Sequence, residues 1–428
     1  MNAAALQRHG YSVAAVRALA RKRLPRMLFD MVDGAAGDEI TMRRNEAALA
    51  EIELAPKLLE GAPTRDQSVE LFGAKLHSPV IIGPTGLAGL LWPHAELAAA
   101  RAAARFGTVY CTSHASTATI EEIGAATPRP KWMQVFLYKD RGLTAEFAAR
   151  AAAAGYKALI LTVDNQVVAG RDRDARNGMT FPLRWGPRSM LDLMSRPGWL
   201  MRMAQTPQPT FVNYGKRTSI IDFGPLMAEQ LDPDVGWSDV DALRRQWRGP
   251  LVIKGLLHPD DAREAISRGA DGIIVSNHGG RQLDGAVATI RALPGVVEAV
   301  GGRAPVLIDG GFRRGVDVVK ALALGARAVL IGRPHLWGVA CAGEDGVFWV
   351  LDLFRREIDR ALALGGWDGV AKLDPSIFFR SPPRGRRPSL PSVGAQRLLT
   401  YSAGCSLISP WPCDSIAAGA TWANFAKQ

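Results

Sequence analysis

The stretch VSNHGGRQLDG (275–285) ends an apolar run, GIIV, in Ser276, Asn277 and His278, then supplies two glycines, Arg281 and Asp284. A tight turn needs the glycines but neither the imidazole nor the guanidinium. Histidine exchanges protons near neutral pH, and arginine holds carboxylates and phosphates through paired N–H donors. Two further stretches, DGGFRRG (309–315) and IGRP (331–334), each offer glycine backbone N–H groups and an arginine, and a helical pattern follows the first. Backbone donors at a helix N-terminus with an arginine beside them suit a phosphate dianion. The plainer alternative is that these glycines only make tight loops.

The elements that must carry these residues are short apolar runs bounded by glycine or proline: PVIIG (79–83), TVYCT (108–112), WMQVF (132–136), ALILTV (158–163), PLVIKG (250–255), GIIVS (272–276), PVLIDG (305–310) and RAVLIG (327–332). Runs apolar on both faces read as buried parallel strands. Helical patterns lie between most of them, at 94–106, 143–154, 260–268 and 316–324. Eight such units predict an α/β fold, a closed (β/α)8 TIM barrel, over an open doubly wound sheet. In such a barrel chemistry sits where the strands end. Those ends carry Pro84-Thr85-Gly86, Ser113, Gln134, Thr162 and Asp164, Lys254, His278 and Arg281, Asp309-Gly310-Gly311, and Gly332-Arg333. A phosphate site after the seventh and eighth strands recurs in this fold.

With 428 residues, 47% of them hydrophobic and 22% charged, the chain can bury a sizeable core. Four scattered cysteines show no metal spacing and fit a reducing compartment. No signal peptide and no run of about 18 apolar residues is read, so the expected location is cytoplasmic. The net charge of +11 suits anionic ligands or an anionic membrane surface. Nucleic acid is not expected, because the basic surplus is not interleaved with aromatic residues on one element. The other six histidines, His114 and His335 among them, read as helix, loop or surface residues, and no metal is expected.

SNHGGRQLD, DGGFRRG…KALALGARAVLIGRP, IGPTG and TVD together resemble the FMN-dependent α-hydroxy-acid dehydrogenases and oxidases, over about residues 7–378. IGPTGLAGLLWP (82–93) is most similar to the mandelate and L-lactate dehydrogenase branch. The resemblance implies FMN as cofactor and a small 2-hydroxy acid as substrate. His278 would be the base and Asp164 its partner. Arg281 and Arg171 would hold the substrate carboxylate. Lys254 would steady the reduced flavin. Pro84, Thr85, Gly86, Ser113, Gln134, Thr162 and Ser276 would line the flavin ring, and Asp309, Gly310, Gly311, Arg313, Gly332 and Arg333 would hold its phosphate. Plainer readings stand beside these: Asp164 as a helix N-cap, Lys254 as a snorkelling residue, Arg171 in a solvated loop, His278 as a core histidine. The resemblance also implies a homo-oligomer, commonly a tetramer, and an acceptor that is a quinone or oxygen.

Two positions depart from the family. Tyrosines are usual where this chain has Met31, in LPRMLFDMVDG, and Phe136, in MQVFLYKDR. Losing both hydroxyls removes two polar contacts, each worth about 0.5–1.5 kcal/mol net. A bulkier, more hydrophobic acid is expected as substrate; the alternative is a flavin-binding protein with impaired chemistry. Gly86 stands where related oxidases often have alanine, which favours a dehydrogenase over a peroxide-forming oxidase.

The expected organisation is an N-terminal helical segment capping the barrel (1–78), the barrel (79–378), a long insertion after the fourth strand (165–249) and an irregular tail (379–428). Within the insertion, 184–211 interleaves Trp185, Met190, Leu191, Leu193, Met194 and Trp199 with arginines and almost no acids. This composition describes a peripheral membrane segment on the cytoplasmic face, or else a lid over the site. The tail is dense in proline, serine and glycine, without periodicity, and is expected to be disordered.

Overall fold

Eight parallel strands close into a barrel: β3 (Val80–Ile82), β4 (Tyr110–Thr112), β5 (Lys131–Val135), β6 (Ala158–Thr162), β7 (Leu251–Leu256), β8 (Gly272–Val275), β9 (Val306–Ile308) and β10 (Ala328–Ile331). They are hydrogen-bonded in sequence order, and β10 closes the ring on β3. The computed structural model describes residues 1–180, 184, 186–205, 210–214 and 220–379. Nearly every strand residue is buried, as runs covered on both faces must be. The eight strands and four helices expected from the sequence are all present.

Ahead of the barrel stand α1 (Ala3–His9), α2 (Val13–Arg23), α3 (Arg26–Asp33) and α4 (Ile40–Ala50). They are followed by a hairpin, β1 (Val69–Leu71) and β2 (Ala74–Leu76). The reading of 1–78 as helical did not include this hairpin, because its strands are only three residues long. Its turn residue Phe72 meets Trp132 at the start of β5, with ring centroids 5.4 Å apart, and so plugs the barrel at the N-terminal end of the strands.

The helices follow from local signals. Ser12 caps α2 by accepting from the Ala15 N–H. After α5 (Ala95–Phe106), Gly107 ends the helix at φ +84°. Thr119 and Glu122 form a capping box at the start of α6 (Ile120–Ala125), and Asp140 caps α7 (Arg141–Ala153).

The described part of 165–249 carries α8 (Asp172–Arg176), α9 (Pro187–Met194), α10 (Pro197–Ala204), α11 (Ile220–Gln230) and α12 (Trp237–Gln246). It is held at several points. Arg173 pairs with Asp33, the Arg26 N–H donates to Asp192, and Trp199 Nε1 donates to the Leu90 carbonyl just past β3. Trp185 lies outside the described residues, as do 380–428 of the tail. The remaining helices are α13 (Pro259–Ser267), α14 (Thr289–Val300), α15 (Gly315–Ala323) and α16 (Arg333–Gly365), the last interrupted at Ala342–Gly343.

Candidate active site

A cavity of about 700 Å³ opens at the C-terminal ends of the strands. It is lined by all the site candidates named above except Asp164 and Ser276, which stand directly behind it. The His278 backbone is left-handed, at φ +56°, in a one-turn 3-10 segment, His278–Gly280, after β8. Ser276 Oγ accepts the His278 N–H at 3.0 Å, and His278 Nδ1 lies 2.9 Å from Asp164 Oδ1. Asp164 therefore serves as partner to an imidazole, not as a helix cap. A residue the sequence did not single out makes this approach possible. Gly255 sits at φ +111° in a register shift of β7, and a Cβ there would lie 2.8 Å from the Asp164 side chain.

Burial lowers the His278 pKa, opposed in part by Asp164 and reinforced by Lys254. Burial works against the Asp164 carboxylate, but the charges of His278 and Lys254 outweigh it and hold the carboxyl below its ordinary value. Lys254 does not snorkel. It is buried, donates to Ser276 Oγ at 2.9 Å and lies 3.3 Å from Asp309 Oδ2. Burial disfavours its charge, yet Asp309 and Asp164 raise its pKa overall.

Four guanidinium groups, those of Arg171, Arg281, Arg313 and Arg333, line the cavity. Arg281 Nη1 donates to the carbonyls of Met31 and Gly34, each at 2.9 Å. Arg333 donates to Gly279 O at 3.0 Å and to Gly34 O at 2.7 Å. Arg171 lines the cavity, and its buried Nε has no hydrogen-bond partner. Burial, then Arg171 and Arg333, press the Arg281 pKa well down; burial, then Arg313, press Arg333 down to about 10. Arginine stays charged at neutral pH, so this crowding marks a place that an anion would relieve. Arg313 pairs with Glu46 at 2.8 Å beside the N-terminus of α15.

Other buried polar atoms on the strand ends lack partners: Gln134 Nε2, Thr162 Oγ1, Asp309 Oδ1 and Arg333 Nε. Such orphans are uncommon and call for a ligand or water. They ring one cavity large enough for a cofactor and a small acid. Donors and acceptors on β5 and β6, a buried lysine on β7, and glycines with arginines after β9 and β10 fit FMN, whose ring is polar along one edge and whose tail is a phosphate.

Two histidines read as peripheral are buried instead. His114, just past β4, lines the cavity; its Nδ1 takes part in a cluster with the hydroxyls of Tyr138, at 2.8 Å, and Tyr214. Burial, then the charge on His278, push its pKa down to about 3, so it stays neutral. His335 Nε2 lies 3.1 Å from Thr85 Oγ1, and burial takes its pKa to about 4. Their positions, beside Ser113 and inside IGRPH, were the available signals. Met31 and Phe136 are buried cavity residues, and the Phe136 ring lies 4.5 Å from that of His114.

Comparison with known proteins agrees with this geometry. The chain is 43% identical to an L-lactate dehydrogenase of Caulobacter vibrioides over 373 residues, 86% of this chain and 97% of that one. The structure of the monotopic membrane protein (S)-mandelate dehydrogenase superposes with a TM-score of 0.83 at 38% identity, covering 87% of this chain and 99% of that one. A mandelate oxidase structure gives 0.73 at 36% identity, over 84% and 96%. Residues 20–380, which take in the barrel with α3 and α4 ahead of it, match the FMN-dependent dehydrogenases. The chain belongs to that family.

Proposed function

We propose that this protein oxidises an L-2-hydroxy acid to the 2-oxo acid with FMN and passes the electrons to a quinone-type acceptor at a membrane surface. The observation that carries the reading is the His278–Asp164 pair standing beside four arginines and a glycine cradle in one cavity. FMN, when bound, takes up the two electrons the acid releases. Pro84, Thr85, Gly86, Ser113, Gln134 and Thr162 would hold its ring, with Ser276 fixing Lys254 behind it. Asp309, Gly310, Gly311, Arg313, Gly332 and Arg333 would hold its tail and phosphate.

Arg281 and Arg171 receive the substrate carboxylate, which neutralises part of their mutual repulsion. With Nδ1 donating to Asp164, Nε2 is the nitrogen left to accept the substrate hydroxyl proton. Asp164 then pairs with the imidazolium, so the proton stays in the site. Lys254 keeps a positive charge on the cavity floor, where it favours a negatively charged cofactor ring. Met31 and Phe136 offer no hydroxyl to the substrate, which favours an acid with a large apolar side chain.

No helix among the described residues is long and apolar enough to cross a membrane. Peripheral contact is supported by Met190, Leu191, Met194 and Met201, exposed on α9 and α10, by Arg188 and Arg202 on the same helices, and by similarity to a monotopic protein. An anaerobic titration with a panel of 2-hydroxy acids, followed by flavin absorbance, tests the chemistry. Bleaching by aryl or branched acids is expected, with slow recolouring in air and fast recolouring with a soluble quinone. A yellow protein that no acid bleaches would leave only a flavin-binding role. Fast recolouring in air would make it an oxidase.

A further inference from the structure

We propose that Asn45, on α4 of the N-terminal segment, is a positioning residue that holds the base-bearing turn and couples it to the loop after β9. The inference rests on His278 being the base. Asn45 Nδ2 donates to Asn277 Oδ1 at 2.9 Å, and Asn277 Nδ2 donates to Asn45 Oδ1 at 2.9 Å. Both side chains are buried. Each amide oxygen accepts a second bond. Asn45 Oδ1 takes the Thr289 N–H at 3.2 Å, and Asn277 Oδ1 takes the Gly280 N–H at 3.2 Å. The second Asn277 proton goes to Val287 O at 3.0 Å. Reversing either amide would set donor against donor, so the pair has a single orientation.

What it holds is a turn of strained backbone, closed by the Gly280 N–H donating to the Asn277 carbonyl at 2.9 Å. His278, Gly279 and Gly280 have φ of +56°, +63° and +77° in succession, and the first of these is not a glycine. Such a backbone persists only where its surroundings over-determine it. The Asn277 side-chain oxygen shares the Gly280 N–H with the Asn277 carbonyl and so braces the turn, and Asn45 fixes that amide. Asn45 also abuts the neighbouring loop: a Cβ on Gly311 would lie 2.8 Å from the Asn45 backbone, and Thr289, fixed by Asn45, donates its hydroxyl to Asp309 O at 2.6 Å. One side chain outside the barrel thus bears on both the base and the cradle proposed for the phosphate. Asp284 strengthens the dock by accepting the N–H groups of Ile40 and Thr41 at the start of α4.

The test uses the full-length holoenzyme carrying Asn45→Ala, Asn277→Ala or both, with amide hydrogen exchange measured without substrate. For Asn45→Ala the expected result is a kcat lower by about 10- to 100-fold, since small misplacements of a reacting group cost that much. KM should change little, the acid limb of kcat/KM should move, and exchange should quicken across 277–280 and 309–311. The double variant should lose no more than the worse single one, because both remove the same pair. A folded Asn45→Ala protein with normal kcat and normal exchange overturns the proposal, as do losses that add in the double variant. If Asn45→Ala does not fold, Asn45→Ser is judged by the same measures. A His278→Asn protein that still turns over removes the base reading itself. An inactive His278→Asn beside a normal Asn45→Ala removes only the positioning role.

Discussion

On the side of the mouth formed by β7 to β10, Lys254, His278, Arg281, Arg313 and Arg333 are each tied to a named polar partner. Across the barrel from them, past the end of β5, Phe136 presents buried apolar surface, and the buried Met31 side chain adds to the apolar lining although its carbonyl binds Arg281. Beside Phe136, the polar groups of Tyr138, Tyr214 and His114 bond to one another. Under the proposed function, the difference assigns each side its task. Where charge must appear or move, an unpaired group costs several kcal/mol and residue types are fixed by chemistry. Where a substrate's side chain only has to fit, shape suffices, and a hydroxyl can be lost without unfolding the site.

The comparison can be broken most severely at Asp164. Asp164→Asn is expected to lower kcat by about 100-fold or more, within the range that general acid–base catalysis contributes. The sign of its pH effect is also fixed. Asp164 raises the His278 pKa against the lowering by burial, so its removal should move the acid limb of kcat/KM to lower pH. A limb that moves upward would contradict the pairing. Next, Arg281→Met should raise KM by about 10- to 100-fold, for a charged hydrogen bond worth about 1.5–3 kcal/mol, with kcat less affected. Steady-state kinetics with one acid would show it.

Gly86→Ala probes the seam between the two sides. A Cβ there would meet the Ala115 Cβ at 2.8 Å, so a loss of about 1–3 kcal/mol in stability is expected from overpacking, read by thermal unfolding of the holoenzyme. The smallest effect belongs to Phe136→Tyr. Returning a hydroxyl to the apolar wall should shift preference toward small acids by less than about tenfold, since one neutral hydrogen bond is worth about 1 kcal/mol. Comparing kcat/KM for a small and an aryl acid would measure it.

The same contrast explains what could be read before the fold was seen. The strands were legible because burial on both faces leaves only apolar residues, and the polar mouth because each strand ends in a residue that burial would otherwise forbid. Phe136 and Met31 were visible only as departures, with no pattern of their own. His114 and His335 were misjudged because burial of a histidine depends on partners distant in sequence; Tyr214 lies 100 residues from His114. Gly255 looked like any strand-end glycine until Asp164 was placed against it. The hairpin at 69–76 was too short to show a period.

The Gly34 carbonyl accepts from both Arg281 and Arg333, the latter 299 residues further along the chain. Trp349 likewise donates to the Gly10 carbonyl across 339 residues. During synthesis the N-terminal segment leaves the ribosome first, yet its partners at the mouth come from the last third of the barrel. The corner proposed to bind anions therefore closes only after nearly the whole barrel has been made. Until then Gly34 has neither arginine, and this part of the nascent chain stays unassembled.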